Sequence, residues 1–377
     1  MSEPKAVRRF GVLARVAGAV VLAALPLYLD SFWLQLGLFV MAGMIGAIGL
    51  TLLVGVAGQL SLGHAFFVAV GAYGYAYLAG QPSPDTPDAP GGLGLPPLLA
   101  LVGAVALAGA VGALFSPISG RLRGIYLGLA SLGLVFLGQH VLINATTLTG
   151  GYNGRDAQPF SVLGFSFSNA SPDDLAVLGV PFGMLERLWY LGLLLVAVAW
   201  WYARNLVDSR PGRALALMRD SEVAARTLGV DISRYKAAAF VVSSMYAGLA
   251  GVLMAVAYGR IVPETFGLQL SIDFLAMIVI GVLGSIRGAA LGALFVIAAP
   301  LVLTHYSAEL PFLAQPGSDG LSAPTLSRLL YGLAIVLVLL LARDGVTGVA
   351  RRLGLGGGRP PEQASPSHPP KIKETTV

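Results

Sequence analysis

Apolar residues in this chain arrive in blocks of about twenty, separated by short polar stretches, and the blocks recur along nearly its whole length. An α-helix rises 1.5 Å per residue, so about twenty residues cross the roughly 30 Å hydrocarbon core of a bilayer. On that scale the pattern predicts ten crossings, at 11–29, 33–57, 62–79, 95–116, 124–143, 188–204, 236–258, 270–285, 288–305 and 326–342. The eighth is short. Pro26 and Pro300 fall inside crossings, where neighbouring helices can take up the freed carbonyls. The predicted fold class is all-α, a polytopic membrane helix bundle of about ten transmembrane helices. Residues 1–10 precede the transmembrane domain of 11–342, and 343–377 form a Gly- and Pro-rich polar tail that is expected to stay disordered.

Composition agrees with this reading. Hydrophobic residues are 56% of the 377 and charged residues only 11%, against about 25% in soluble domains. There is no cysteine, which excludes disulfides, thiolate metal sites and cysteine nucleophiles. The net charge of +5 is topological: with the N-terminus cytoplasmic, nineteen Lys and Arg fall on one side, four on the other and Arg15 within the first crossing. Both termini are thereby expected in the cytoplasm, and nucleic acid is not implied. The exit of the first crossing, "PLYLDSF", lacks the small residues of a cleavage site, so a retained helix is expected. Trp33, Trp189, Trp200 and Trp201 fall near the ends of crossings, where an aromatic belt would place them.

Chemistry is sparse. No G-x-x-x-x-G-K-[ST], H-E-x-x-H or G-x-S-x-G stretch occurs, so no catalytic residue, metal site or nucleotide-binding loop is assigned. Charges within crossings are almost absent: Arg15 lies near a cytoplasmic end, and Asp273 is expected near an outer end. Ion-coupled transporters usually hold ionisable groups near mid-membrane. Uphill transport by this chain would therefore draw energy from another subunit.

The unusual stretch is "GQLSLGHAFF", where Gln59, Ser61 and His64 interrupt an apolar run among Gly55, Gly58 and Gly63. Glycines weaken a continuous helix. Two arrangements fit: a broken or re-entrant helix near 55–64 at membrane depth, or a tight cytoplasmic turn between the second and third crossings. Ser131 is a further polar residue at depth, though helix–helix hydrogen bonding is its simpler account, as it is for Ser243 and Ser244. Gly284, Gly288 and Gly292, like Gly124 and Gly128, are spaced by four and are expected to be packing positions.

The loop 205–235 carries a second signal. Pro211 suits the first turn of a short helix and Gly229 its C-terminal cap. Between them Ala214, Leu217, Ser221, Ala224, Ala225 and Leu228 recur at helical spacing, a narrow face of small and apolar groups, with Glu222 and Arg226 set for an i,i+4 pair. Such a face suits close docking of another protein; a solvated linker lying on lipid headgroups is the plainer alternative.

Five motifs in order resemble one family. "SEVAARTLG", with Glu222, Ala224, Ala225 and Gly229, is similar to the E-x-A-A-x-x-x-G loop of bacterial ABC importer permeases. "GQLSLGHAFF", "LTGGYNG" (Leu148 to Gly154), "AGLAGVLMA" (Ala247 to Ala255) and "IGVLGSIRGAALGA" (Ile280 to Ala293) resemble the branched-chain amino-acid, LivM-type branch. Urea and short-chain amide permeases are close relatives of that branch. The chain departs from many relatives at Gly49-Leu50-Thr51, where an Asn-Leu or Asn-Ile is usual.

The resemblance implies a permease subunit of an ABC importer for branched-chain or other hydrophobic amino acids, in a bacterial plasma membrane. It implies a coupling helix (Leu217, Ser221, Glu222, Ala224, Ala225, Leu228, Gly229) that docks on an ATPase. It implies a translocation path beside Gly58, Gln59, Ser61, Gly63, His64 and Ser131. Thr149, Gly150, Gly151, Asn153 and Gly154, in the outer loop 144–187, would face a binding protein. The implied partners are a homologous permease (LivH-like), two ATPase subunits (LivG/LivF-like), an extracytoplasmic solute-binding protein and membrane lipid. No cofactor is expected on this chain itself, since ATP would be hydrolysed by the partners. A self-sufficient secondary transporter is the main rival, and a histidine-dependent membrane enzyme a weaker one.

Overall fold

The computed structural model describes residues 17–18, 20–81, 91–122, 124–162, 165–167, 176–177, 180–181, 183–307, 309 and 322–341. In chain order the helices are α1 (Ser31–Leu50, continued by a π-helical turn, Thr51–Val56), α2 (His64–Ala79), α3 (Pro97–Arg121) and α4 (Ile125–Asn144). Then follow α5 (Met184–Asp208), α6 (Arg210–Asp220), α7 (Glu222–Thr227), α8 (Ile232–Tyr258), α9 (Leu268–Ile280), α10 (Ile286–His305) and α11 (Ala323–Leu341). Six are long and apolar enough to cross a membrane: α1 with its π-turn, α3, α4, α5, α8 and α10. α9 and residues 325–337 of α11 are shorter apolar helices. Of the predicted first crossing, residues 17–18 and 20–29 are described; 17–18 and 20–24 are helical and lead into a 3₁₀ turn, Leu25–Leu27, whereas the tail 343–377 lies outside the described residues.

One end of the bundle, the basic end, gathers Arg204, Arg210, Arg213, Arg219, Arg226, Arg234, Lys236 and Arg287. α1 and α8 form the centre. Their most apolar windows are 83% and 78% buried, against 33% for α3 and 28% for α4 and α10. A helix that is apolar all round has to be enclosed, and α8 is enclosed by α1, α2 and α3.

The α9–α10 hairpin shows why glycine recurs there. A Cβ on Gly288 would fall 1.4 Å from the Gly281 carbonyl oxygen, and one on Gly292 would fall 1.9 Å from that of Met277. Gly284 sits in the intervening turn at φ 86°, against Gly55. The packing role expected for Gly288 and Gly292 holds. Gly124 differs: it has φ 56° and nothing within 4 Å of its Cβ position, so it is the N-terminal stop of α4 and no packing contact. Trp189 also departs from expectation. It is buried, its ring fills the space beside Gly37, and its indole N–H donates to the Leu22 carbonyl at 2.9 Å.

Among the described residues, strands occur in the segments that leave α4 and precede α5 and in the one that leaves α8, at the end opposite the basic one. β1 (Arg155–Asp156) and β6 (Arg260–Ile261) pair antiparallel, as do β2 (Ser161–Val162) with β3 (Phe165–Ser166) and β4 (Ala176–Val177) with β5 (Val180–Pro181).

Candidate functional site

Both arrangements considered for residues 55–64 are partly right, because the chain turns at one depth and resumes its helix at another. α1 ends in the π-turn Thr51–Val56, a distortion often found at functional sites. The chain reverses at Gly58, whose φ of 70° is left-handed and favours glycine. Arg219 of α6 packs against that glycine and donates from its guanidinium to the Gly55 carbonyl at 2.8 Å. The reversal therefore lies at the basic end.

From there the chain climbs back without helical structure to His64, the first residue of α2. His64 Nε2 lies 2.9 Å from the Gly46 carbonyl oxygen, which requires the Nε2–H tautomer, and the ring meets Phe274 edge-on at 4.9 Å. Gly46 is about 15 Å up α1 from Val56. Six residues of extended chain climb up to roughly 20 Å, so the limb covers that distance and α2 starts near mid-depth. Broken helices of this kind need their free amides satisfied within the protein. Ser131 Oγ of α4 accepts from Leu62 N–H at 2.8 Å, Ser61 Oγ from Gly63 N–H at 3.4 Å, and Ser271 Oγ of α9 from Ala65 N–H at 3.1 Å. Gln59 Nε2 donates to the Lys236 carbonyl at 3.1 Å.

The structure thus brings together Gly58, Gln59, Ser61, Gly63, His64 and Ser131, with Ser131 serving the break rather than only its own helix. The Ser61, His64 and Ser131 side chains are buried and engaged with backbone. Ser271 was not legible as part of this group. Its only sequence signal is a lone serine in an apolar run. Ser271→Ala leaves the Ala65 amide unpaired at mid-depth and is expected to cost about 1–3 kcal/mol. Unfolding in detergent micelles, compared with Ser244→Ala, checks it, because Ser244 bonds only within its own helix.

At the basic end the expected single helix is two. Ser221 breaks it and caps α7, its Oγ accepting from Ala224 N–H at 3.2 Å, while Pro211 opens α6 and Gly229 (φ 80°) follows α7. The break rotates the face anticipated from spacing. Ala225 is fully buried against the bundle, whereas Val223 and Leu228 stand 75% and 72% exposed. Ala225 is therefore corrected from the outward to the inward side; Leu217 and Ala224 are half-buried, and Ser221 and Gly229 are exposed. Glu222 turns inward too. Its carboxylate meets Lys236 Nζ at 2.6 Å and only brushes Arg226 at 4.0 Å. Residue spacing marked the Arg226 pair and missed Lys236, which comes from the next helix.

At the opposite end "LTGGYNG" is mostly internal. Thr149 Oγ1 donates towards the Leu142 and Ala145 carbonyls and accepts from Gly151 N–H at 3.2 Å. Thr149, Gly151 and Gly154 are buried and Gly150 is half-buried, so these four are corrected from a contact surface to a scaffold; Asn153 and the unpredicted Tyr152 face outward. Arg155 anchors this cap. It is buried, donates to the Leu148 and Gly91 carbonyls, and lies 5.6 Å over the Tyr77 ring. Burial pulls its pKa down, and the neighbouring Tyr77, Tyr73 and Asp156 oppose that.

A bundle of apolar crossings around a helix that begins near mid-depth defines a multi-pass membrane protein. The chain belongs to the family of branched-chain amino acid transport system permease components, whose model matches residues 32–339. The high-affinity branched-chain amino acid transport system permease protein LivM of Salmonella typhimurium is 33% identical over 275 residues, covering 71% of this chain and 62% of that protein. The Escherichia coli protein of the same description is 32% identical over 291 residues, covering 75% and 66%. This chain thus spans just under two thirds of the length of either. The autoinducer 2 import system permease protein LsrC of Klebsiella pneumoniae is 32% identical over 143 residues, 36% of this chain and 40% of that one. No solved structure matches.

Proposed function

We propose that this chain is the permease subunit of an ABC importer for branched-chain or other hydrophobic amino acids. Its basic end faces the cytoplasm of a bacterial plasma membrane, with both termini on that side, as the positive-inside rule requires. α7 is the coupling helix. It docks on an ATPase through Val223, the half-buried Ala224 and its C-terminal Leu228, with the half-buried Leu217 of α6 adding to the contact, while Ala225 and Glu222 hold it to the bundle. ATP is hydrolysed by the ATPase pair, and this chain binds no cofactor. A homologous permease completes the passage, and a solute-binding protein delivers cargo to the end where Tyr152 and Asn153 are exposed. The limb Gly58–His64, held by Ser61, Gly63 and Ser131, shapes the passage and moves with the coupling helix.

The observation that carries this reading is the position of α7, locked to the bundle on one side and exposing two large aliphatic side chains on the other. Uptake of leucine into proteoliposomes, with and without the ATPase subunits, tests it. Concentrative uptake is expected only with the ATPases and ATP; concentrative uptake by this chain alone overturns the reading. Leu228→Glu places a charge in the docking contact and is expected to weaken ATPase co-purification by about tenfold or more, a change of about 1.4 kcal/mol. Its exposure leaves the fold of the permease itself intact. Undiminished co-purification counts against α7 as the docking element.

A further inference from the structure

Asp273 is the one carboxylate lying well inside an apolar helix among the described membrane-crossing elements, and its depth differs from the expected outer end. Ser271 of the same helix bonds the first turn of α2, and Phe274 touches His64, which itself reaches Gly46 midway along α1. The turn that ends α9 packs on Gly55 at the basic end. These contacts fix Asp273 near mid-depth. An ionisable group there needs a partner or a function.

Its protein partners are few. Gln269 Nε2 donates to Oδ1 at 2.8 Å, and no ion pair reaches Asp273 among the described residues. A carboxylate accepts about four hydrogen bonds, so most of its capacity is unspent. Asp273 lines a cavity of about 210 Å³ between α1, α8, α9, α10 and α11. That is several times the roughly 30 Å³ share of one water, enough for a solute of amino-acid size. The rest of the lining is nearly all apolar, including Phe39, Met254, Phe274 and Ile297, with the Tyr258 and Tyr331 rings beside it. Arg328 is close enough to act on Asp273 electrostatically without pairing with it.

We propose that this cavity is a cargo site for an aliphatic amino acid, with Asp273 binding the ammonium group and the apolar walls receiving the branched side chain. The site discriminates by charge: urea and neutral amides can donate N–H hydrogen bonds to the carboxylate but leave its charge uncompensated in an apolar cavity. This rests on the reading of the chain as an amino-acid permease, and it names the group by which that cargo is recognised.

The absence of cysteine from the chain makes the test direct. Leu270→Cys places a single thiol on the cavity wall, one helical turn from Asp273. The full chain, purified with the subunits it assembles with and held in lipid nanodiscs, is labelled with a thiol reagent in the presence of L-leucine. 4-Methyl-2-oxopentanoate, which is leucine without its ammonium, and sodium chloride alone serve as comparison ligands. Leucine is expected to slow labelling and the oxo acid not to. Adding Asp273→Asn is expected to raise the leucine concentration for half protection by about tenfold or more, the value of one charge-assisted hydrogen bond. An unchanged unfolding midpoint shows that the variant is folded, and Asp273→Glu should restore part of the protection.

Equal protection in Asp273→Asn, protection by the oxo acid, or protection by sodium alone overturns the proposal. So does absent protection in a transporter that still imports leucine, which leaves the amino-acid reading standing. An assembled transporter that imports urea or an amide but no leucine overturns the amino-acid reading itself.

Discussion

Glu222→Ala is expected to destabilise the protein by about 2–3 kcal/mol. Breaking a buried ion pair by removing one partner costs about 3–5 kcal/mol because the other charge is left without compensation. The stranded group here is the Lys236 ammonium, whose side chain is only 7% exposed. The expected cost lies at or below the bottom of that range because Glu222 itself keeps 23% exposure and is partly screened. Lys236→Met should cost less, since methionine refills the aliphatic space and Glu222 can turn towards Arg226 and water. The double variant should recover much of the loss, and the interaction energy from the cycle isolates the pair. Unfolding midpoints in detergent micelles provide all four corners. Equal costs for both single variants with simple additivity would show that the 2.6 Å contact contributes nothing. Because Lys236 also offers its carbonyl to Gln59, the same pair joins α7 to the reversal of the α1–α2 limb. On the proposed function, Glu222→Ala therefore also lowers uptake per ATP hydrolysed, whereas a purely structural pair would lower the amount of transporter and leave that ratio alone.

Gly58→Val has the second large effect. A β-branched residue in the left-handed region costs about 1–2 kcal/mol, and its Cβ would fall 2.7 Å from Arg219 Cγ. Arg219 is flexible and can withdraw, but doing so gives up its 2.8 Å bond to the Gly55 carbonyl, worth about 1 kcal/mol more. The expected total is about 2–3 kcal/mol. Gly58→Asn carries the same Cβ but tolerates the left-handed backbone, so it should be milder by most of the strain cost alone. At matched bulk and a shared Cβ, the comparison isolates backbone strain. Arg219→Lys then tests the clamp alone, since lysine cannot reproduce the planar guanidinium geometry at the carbonyl. If Val and Asn at position 58 behave alike, the left-handed turn is not what requires glycine. With ATPase partners present, normal uptake per ATP in a folded Gly58→Val transporter would separate the reversal from the transport cycle.

Residue order made the crossings legible because a bilayer leaves little choice: every backbone polar group must be satisfied internally, and only long apolar helices do that. Pro211 and Gly229 bounded the basic-end segment for local reasons, a preset φ and a permitted positive φ. Gly58 and Gly63 flagged a break, since glycine clusters weaken any helix. What followed the break was not legible. Spacing rules describe regular helices, and the limb from Gly58 to His64 is not one. The same limit explains Ala225, Glu222 and Asp273. A helical wheel ranks the faces of α7 without saying which one its own bundle will claim, and Ser221 resets the register within it. Glu222 took a partner from another helix, which no i,i+4 rule can supply. Its position four residues into the predicted crossing 270–285 puts Asp273 near an outer end, but α9 is only 13 residues long and begins below the opposite surface.

By itself the sequence determined that this protein is an all-helical membrane bundle with a strongly basic end, because hydrocarbon thickness and the backbone's hydrogen-bonding demand act on any sufficiently apolar run. The tertiary structure alone decided how deep the limb returns, which side of α7 stays exposed, and that a single carboxylate faces a mid-depth cavity. Those depend on contacts between helices far apart in the chain, Ser271 with Ala65, Lys236 with Glu222 and His64 with Gly46, and such contacts exist only once the helices have packed.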